Sequence, residues 1–478
     1  MPQNPKPQFL NKVVIIIICF FVLNTIWVFQ DNRLSFTGDD SRWLFETNKL
    51  ATHLKQGDIA GFADRWQNMF IEDTNSFPRT PLFTLLSVPT FMLVGPNTDA
   101  AVITNLLVFA LCSWFVYLLC LEIFKHEKQK GLIALLAVIA FNVFPGYFGL
   151  ARMYMSEIMQ TLLVIVISYI AIKQQQSRNP YWYLVLGVLA ALAMLLRFIM
   201  PIYLVITGLI FLYQQFKLKY SVKEVLIRFG LFVLGFLPLA ATWYAQNLIP
   251  YWEFTRYTSF GPLAEITSLG PVWSPVTWLK FWNVIALWHF SWPWLLAILL
   301  LLIISAFFII KKRLYKINLR ILTTTQKTFL LLALIPVPAF LMATLSINKT
   351  ARYFLPVEVF WILLLVYIFW QILVAVVAQV KKQQLKFVFI AILLLGSLIS
   401  YPFMQSVITF LPQLPRTSYL PNSGKPLKTD SSRDMYNFAL ASLTIYTDAN
   451  SSVYILPEQV RFNDAQLQWE FAQKEIPR

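Results

Sequence analysis

Two adjacent carboxylates stand close behind the first apolar block, in Thr37-Gly38-Asp39-Asp40-Ser41-Arg42. Like charges side by side raise one of the two pKa values. A carboxylate held that way, with Arg42 nearby, has the makings of a general base. The same residues also suit an Asx-type cap for a helix over 41–54, whose N-terminus favours negative charge. Both readings can hold at once. Further on, Phe77-Pro78-Arg79-Thr80-Pro81-Leu82 sets a proline-flanked arginine at the edge of an apolar segment. Its fork of N–H donors suits a lipid phosphate, and snorkelling to the headgroups is the plainer alternative. Ala151-Arg152-Met153-Tyr154-Met155-Ser156-Glu157 brings a carboxylate to another apolar edge, where it is costly unless paired or functional. Arg152 is its nearest partner in sequence.

Four more cations lie at such edges. Arg197 is in Leu195-Leu196-Arg197-Phe198 and Arg256 in Phe254-Thr255-Arg256-Tyr257. Lys349 and Arg352 are in Asn348-Lys349-Thr350-Ala351-Arg352-Tyr353-Phe354-Leu355-Pro356. An anionic ligand such as a lipid-linked phosphate accounts for several of them together. Interfacial anchoring accounts for any single one.

The elements that position these residues are apolar helices. The chain has 478 residues, 58% of them hydrophobic and 13% charged, with a mean hydropathy of +0.62. Soluble domains carry about 25% charged residues. The apolar residues fall in blocks long enough to cross a bilayer: Val13–Phe29, Ala100–Phe124, Leu132–Phe148, Ile158–Ile172, Tyr181–Arg197, Ile202–Phe216, Val225–Tyr244, Phe281–Ile310, Phe329–Ile347, Tyr353–Val380 and Phe387–Phe403. The first is too long for most signal peptides and no small-x-small site follows it, so it reads as a retained span. Pro81–Val94 is short and interrupted by Pro89, and reads as a re-entrant or interfacial helix.

Lys and Arg collect in cytoplasmic loops. With the N-terminus inside, the cytoplasmic segments hold 20 basic and 3 acidic residues, which leaves 19 basic and 20 acidic elsewhere. The formal net charge of +16 is therefore topological, and a nucleic-acid partner is not needed to explain it. Counting Pro81–Val94 as a full span would invert every later loop. The expected architecture is an all-α polytopic membrane protein of about 11 transmembrane helices. Residues 1–403 form its membrane domain, with residues 30–99 as a first extracytoplasmic loop. Residues 404–478 form a small extracytoplasmic α/β appendage.

His53, His126 and His289 do not cluster, so no histidine metal site is expected. Cys19, Cys112 and Cys120 lie in apolar blocks, as lipid-facing or packing residues. The tryptophans between 243 and 294 read mostly as interfacial anchors. Sequons at Asn348 and Asn450 face outward in this topology.

Taken in order, these stretches resemble the GT-C superfamily of membrane glycosyltransferases, near the protein O-mannosyltransferase and lipid A aminoarabinose transferase branch. Gly38-Asp39-Asp40 follows the first span, and Arg79-Thr80-Pro81-Leu82 stands where the family often has a Pro-Pro-Leu-like stretch. Val94-Gly95, Arg152…Glu157 and Leu195-Leu196-Arg197-Phe198 come next. Ala351-Arg352-Tyr353-Phe354-Leu355-Pro356 is similar to the family's Arg-Tyr-Leu-Leu-Pro. The resemblance covers residues 1–403. It implies sugar transfer from a polyprenyl-phosphate carrier to a lipid, glycan or protein acceptor, with no cofactor; a divalent metal is possible but not demanded by this branch. The expected place is the outer face of a bacterial plasma (inner) membrane. Asp39 would be the base; the family usually reads Asp-Glu here, so Asp40 shares that role as a candidate. Glu157 would support the acceptor or the base. Arg79, Arg256 and Arg352 would hold the carrier phosphate, with Arg197 and Lys349 as further cations at the same boundary. A transporter or lipid flippase is the rival class. It would place ionisable residues near span centres and show inverted repeats, whereas here charges gather at span ends.

Overall fold

Polar backbone can cross a bilayer only with its hydrogen bonds closed internally, which favours helices. In a computed structural model, residues 7–31, 38–69, 78–174, 177–261, 264–265, 267–311, 324–377 and 385–408 are described, and every regular element among them is helical. The appended domain expected beyond residue 404, and Asn450 with it, lies almost wholly outside the described residues.

The chain begins with α1 (Pro7–Gln30), then α2 (Gly38–Lys55), α3 (Ile59–Gln67) and α4 (Leu82–Val94). Next come α5 (Thr98–Ile123), α6 (Lys130–Asn142), α7 (Pro145–Ala151), α8 (Glu157–Gln174), α9 (Tyr181–Leu196) and α10 (Met200–Lys217). The 39-residue α11 (Val222–Phe260) follows. α12 (Pro275–Ile285) runs through a π-helical turn (Ala286–Phe290) into α13 (Ser291–Lys311). Last are α14 (Thr324–Leu334), α15 (Val337–Leu345), a 3-10 turn (Ala351–Phe354), α16 (Leu355–Val377) and α17 (Leu385–Val407).

The protein is an integral multi-pass membrane protein. Where they are described, the eleven expected spans fall largely on helices. Among the described residues, seven helices are long and apolar enough to cross a membrane, or eight if α6 and α7, bent by 60°, form one broken span. The 13-residue α4 is about 20 Å long at 1.5 Å per residue, short against a hydrocarbon core of about 30 Å.

α11 differs from expectation. The sequence suggests a span ending near Tyr244 and an outer loop from 245, yet the helix continues through Pro250 to Phe260. At about 58 Å it outreaches the bilayer. A capping box starts it, with Ser221 and Glu224 satisfying each other's backbone N–H groups. Its far end is helical because it carries partners: Asn247 donates to the Gln67 carbonyl of α3 (2.9 Å), and the Trp243 ring is fully buried. At its near end α11 crosses α9 at two glycines. A Cβ on Gly187 would run into the Phe232 carbonyl, and one on Gly235 into that of Leu184. Small residues let helices approach this closely in membranes.

The described helices of the first loop pack on one another. Glu46 of α2 and Arg65 of α3, both buried, form a bidentate ion pair whose Nε–Oε2 contact is 2.5 Å. Losing one partner of such a pair costs about 3–5 kcal/mol. α2 also meets α4 through the Trp43 and Phe83 rings (5.4 Å between centroids). Orientation in the membrane is open to a direct test. In a Cys19→Ser background, Gln56→Cys on the exposed α2–α3 turn is expected to react with an impermeant maleimide added outside intact cells. Labelling only after lysis would reverse the topology.

Candidate functional site

The residues singled out above sit at helix ends, and packing brings several of those ends to one face of the bundle. Glu157 opens α8, where the helix dipole favours a carboxylate. Arg197 closes α9 in an extended conformation (φ −163°, ψ 140°), because Met200-Pro201 starts the next helix at once. Arg352 lies in the 3-10 turn that feeds α16. Arg79 lies three residues before α4. A side chain at a helix end is released from the lateral face, so these four groups can converge.

Glu157 is fully buried. Its Oε1 lies 3.6 Å from Arg197 Nη1 and 3.4 Å from Arg352 Nε. Charge-assisted hydrogen bonds are about 2.7–2.9 Å long. The carboxylate therefore balances both cations without taking up their donors, and neither of its oxygens accepts a hydrogen bond among the described residues. The Tyr353 ring lies against both guanidinium groups, 4.9 Å from Arg197 and 5.7 Å from Arg352. Arg352 also approaches the Met155 sulfur at 3.0 Å. Tyr203 fixes Tyr353 by donating to its carbonyl at 2.6 Å.

Arg79 joins from the first loop. It stands over Trp43 (5.9 Å) and over Phe254 of α11 (5.5 Å). The buried Tyr251 links it to the cluster: its hydroxyl lies beside Thr80 and within electrostatic reach of both Arg79 and Arg197. Two arginines thus flank one buried carboxylate, and Tyr251 connects Arg79 to them.

Asp39 and Asp40 occupy the first turn of α2, which begins at Gly38 and not at Ser41. They are therefore first-turn residues, not caps outside the helix. Asp39 stands one turn before Trp43, the ring under Arg79. The same helix is tied to the segment leading into Glu157 by a Thr47–Tyr154 hydroxyl contact of 2.7 Å. That segment is pinned in turn by Asn105, which donates to the carbonyls of Met153 (2.5 Å) and Met155 (2.9 Å).

Arg152 does not pair with Glu157. It is buried on the opposite side of its turn, donating to Asn24 (2.7 Å) and Ser406 (3.0 Å) with the Trp27, Phe148 and Phe403 rings around it. It ties α1 and α17 to the core. Two expected cations also stand apart from the Glu157 pairs. Lys349 donates to the Ala343 (3.2 Å) and Thr344 (2.5 Å) carbonyls, closing the C-terminus of α15 as cations do. Arg256 is exposed on the last turns of α11. Asn348 is committed to structure: it donates to the Thr258 carbonyl (3.1 Å) and accepts from the Thr350 amide (3.0 Å) and from Thr267 (3.1 Å).

Tyr353, Tyr203 and Tyr251 escaped the sequence reading, since a tyrosine near a membrane boundary looks like an ordinary anchor. Trp243 and Trp294, read as anchors, are core residues. Cys112 and Cys120 are buried and Cys19 exposed, all three as free thiols. Among the described residues, no three His, Cys, Asp or Glu side chains are grouped to hold a metal ion.

Fold and site together define a multi-pass membrane protein with an arginine–carboxylate cluster gathered at one face. Residues 78–244 match the family of dolichyl-phosphate-mannose-protein mannosyltransferases, a stretch that includes Arg79, Glu157 and Arg197. The resemblance to the protein O-mannosyltransferase branch read from the sequence agrees with that match over those residues. Solved structures similar to this chain include ArnT from Cupriavidus metallidurans bound to undecaprenyl phosphate, with a TM-score of 0.49 and 11% identity over 86% of this chain and 67% of that one. The apo state of the same protein gives 0.47 and 12% over 86% and 66%. No curated protein matches the chain in sequence.

Proposed function

We propose that this chain transfers a sugar from a polyprenyl-phosphate carrier to an acceptor hydroxyl or amine at the extracytoplasmic membrane face. The observation that carries the reading is the pair of arginines held on Glu157 at ion-pair but not hydrogen-bond distance. The guanidinium fork matches phosphate geometry, and donors in a buried setting act most strongly on developing charge. The mannosyltransferase match over residues 78–244 points to the same donor chemistry.

In this reaction the acceptor oxygen or nitrogen attacks the anomeric carbon as the bond from that carbon to the phosphate oxygen breaks. The acceptor proton passes to a carboxylate, Asp39 or Asp40, at the start of α2. The phosphate leaves with one more negative charge than it had as a diester. Arg79, Arg197 and Arg352 offset that charge, and Glu157 keeps the arginines apart and oriented. Arg256, exposed on the last turns of α11, would meet the lipid headgroups, whereas Lys349 is committed to the end of α15.

Membranes from cells expressing the full chain, supplied with radiolabelled polyprenyl-phosphate hexoses and pentoses, test the reading. Label is expected to move into an acceptor lipid, glycan or protein. Asp39→Asn should lower the rate about 10²-fold or more, as loss of a general base does. Arg352→Ala should lower kcat about 10²–10³-fold, the effect of removing one donor from a developing anion. Normal transfer by both variants would refute these roles, and no transfer by the wild type from any donor would refute the function.

A further inference from the structure

A second polar group lies inside the helix bundle, apart from the arginine cluster. His289 and Glu358 are both fully buried, and His289 Nδ1 is 2.7 Å from Glu358 Oε1. Ionisable groups are costly inside a membrane and rarely kept there without a task. His289 Nε2 and Glu358 Oε2 have no hydrogen-bond partner among the described residues, so the pair depends on its single mutual contact.

The backbone around His289 is unusual. It belongs to the π-helical turn Ala286–Phe290, and the next residue, Ser291, has φ +65°. A non-glycine residue in the left-handed region costs roughly 1–3 kcal/mol and persists where its surroundings hold it. π-Turns inserted in α-helices concentrate at functional sites. Gly146 of α7 allows this turn to sit close, since a Cβ there would lie 3.2 Å from His289 Cβ and 2.9 Å from Leu355.

Glu358, on the other side of the contact, lies in the first turn of α16. The same turn is the continuation of the 3-10 turn that carries Arg352. Three separate elements hold this junction. Tyr147 of α7 donates to the Leu355 carbonyl at 2.8 Å, and Tyr203 of α10 donates to the Tyr353 carbonyl at 2.6 Å. The His289–Glu358 contact is the one that reaches it from the π-turn. Cutting it leaves a buried carboxylate without a partner and frees the π-turn to relax, and both changes act on the start of α16.

We propose that His289 and Glu358 are a positioning pair: they set the start of α16 so that Arg352 meets Glu157. The inference rests on the transferase reading for its kinetic consequence, but not for its structural one. Asparagine places an amide where the His289 Nδ1 stood, and leucine does not.

His289→Leu is expected to lower kcat about tenfold, within the range of contact-coupled pairs, with KM unchanged, and His289→Asn to restore most of that loss. In an Arg352→Ala background, His289→Leu should cost nothing further. Hydrogen exchange of the full chain in nanodiscs should show faster amide exchange over 351–356 in His289→Leu, with α9 and α11 unchanged. An undiminished penalty in the Arg352→Ala background, or unaltered exchange over 351–356, would overturn the proposal. If the wild type transfers no sugar, the function fails, and the exchange measurement still decides the coupling.

Discussion

Glu157→Ala is expected to abolish sugar transfer and to lower the stability of the membrane domain. Arg197 and Arg352 both face the same carboxylate oxygen, at 3.6 and 3.4 Å, and the carboxylate is fully buried. Removing it leaves two guanidinium groups near each other with no balancing charge in a poorly solvated place. Uncompensated buried charge of this kind costs about 3–5 kcal/mol. The arginines would be expected to turn away, taking their phosphate donors with them, so that transfer falls more than about 10³-fold. Glu157→Gln separates the two effects. It preserves volume and loses only the charge, so it should fold better than the alanine variant and remain nearly as inactive. Transfer assays in membranes and thermal unfolding in detergent read the two quantities. Wild-type activity in Glu157→Gln would remove the carboxylate from the site.

Gly235→Leu is expected to prevent folding. The Gly235 Cα–Cβ direction points at the Leu184 carbonyl of α9, and Gly187 faces the Phe232 carbonyl of α11 in the reciprocal contact. Neither obstacle is a flexible side chain. The two helices would have to separate, and the separation would propagate along α11, because its far end carries α3 through Asn247 and meets Arg79 through Phe254. The cost exceeds the 1–3 kcal/mol or so of ordinary overpacking. Gly208→Leu is the control, since nothing lies within 4 Å of a Cβ there. The expected result is a monodisperse peak for Gly208→Leu on size-exclusion chromatography and aggregated or degraded protein for Gly235→Leu. Equal yields would show that the crossing tolerates separation.

The class of this protein was legible in its residues. Long apolar blocks have no other stable home than a bilayer, and helix is what such blocks form there. The resemblance to the mannosyltransferase branch was legible in short stretches, and the family match over residues 78–244 agrees with it. Arg79, Arg197, Arg352 and Glu157 could also be picked out one by one, because charge at the edge of an apolar segment is conspicuous.

Their pairing was not legible. Arg152 is five residues from Glu157, yet it turns toward Asn24 and Ser406. Arg197 and Arg352 are far away in sequence, yet they meet the carboxylate. Hydropathy and periodicity act over one helix at a time, and which helix ends come together depends on how the bundle packs. The length of α11 was hidden for the same reason, since its C-terminal half is held by contacts with α3 and with Arg79. The His289–Glu358 pair escaped the sequence reading, because the contact and the π-turn that presents it come only from the fold. Residue types declared which chemistry was available here, and the meeting of helix ends decided which residues share it.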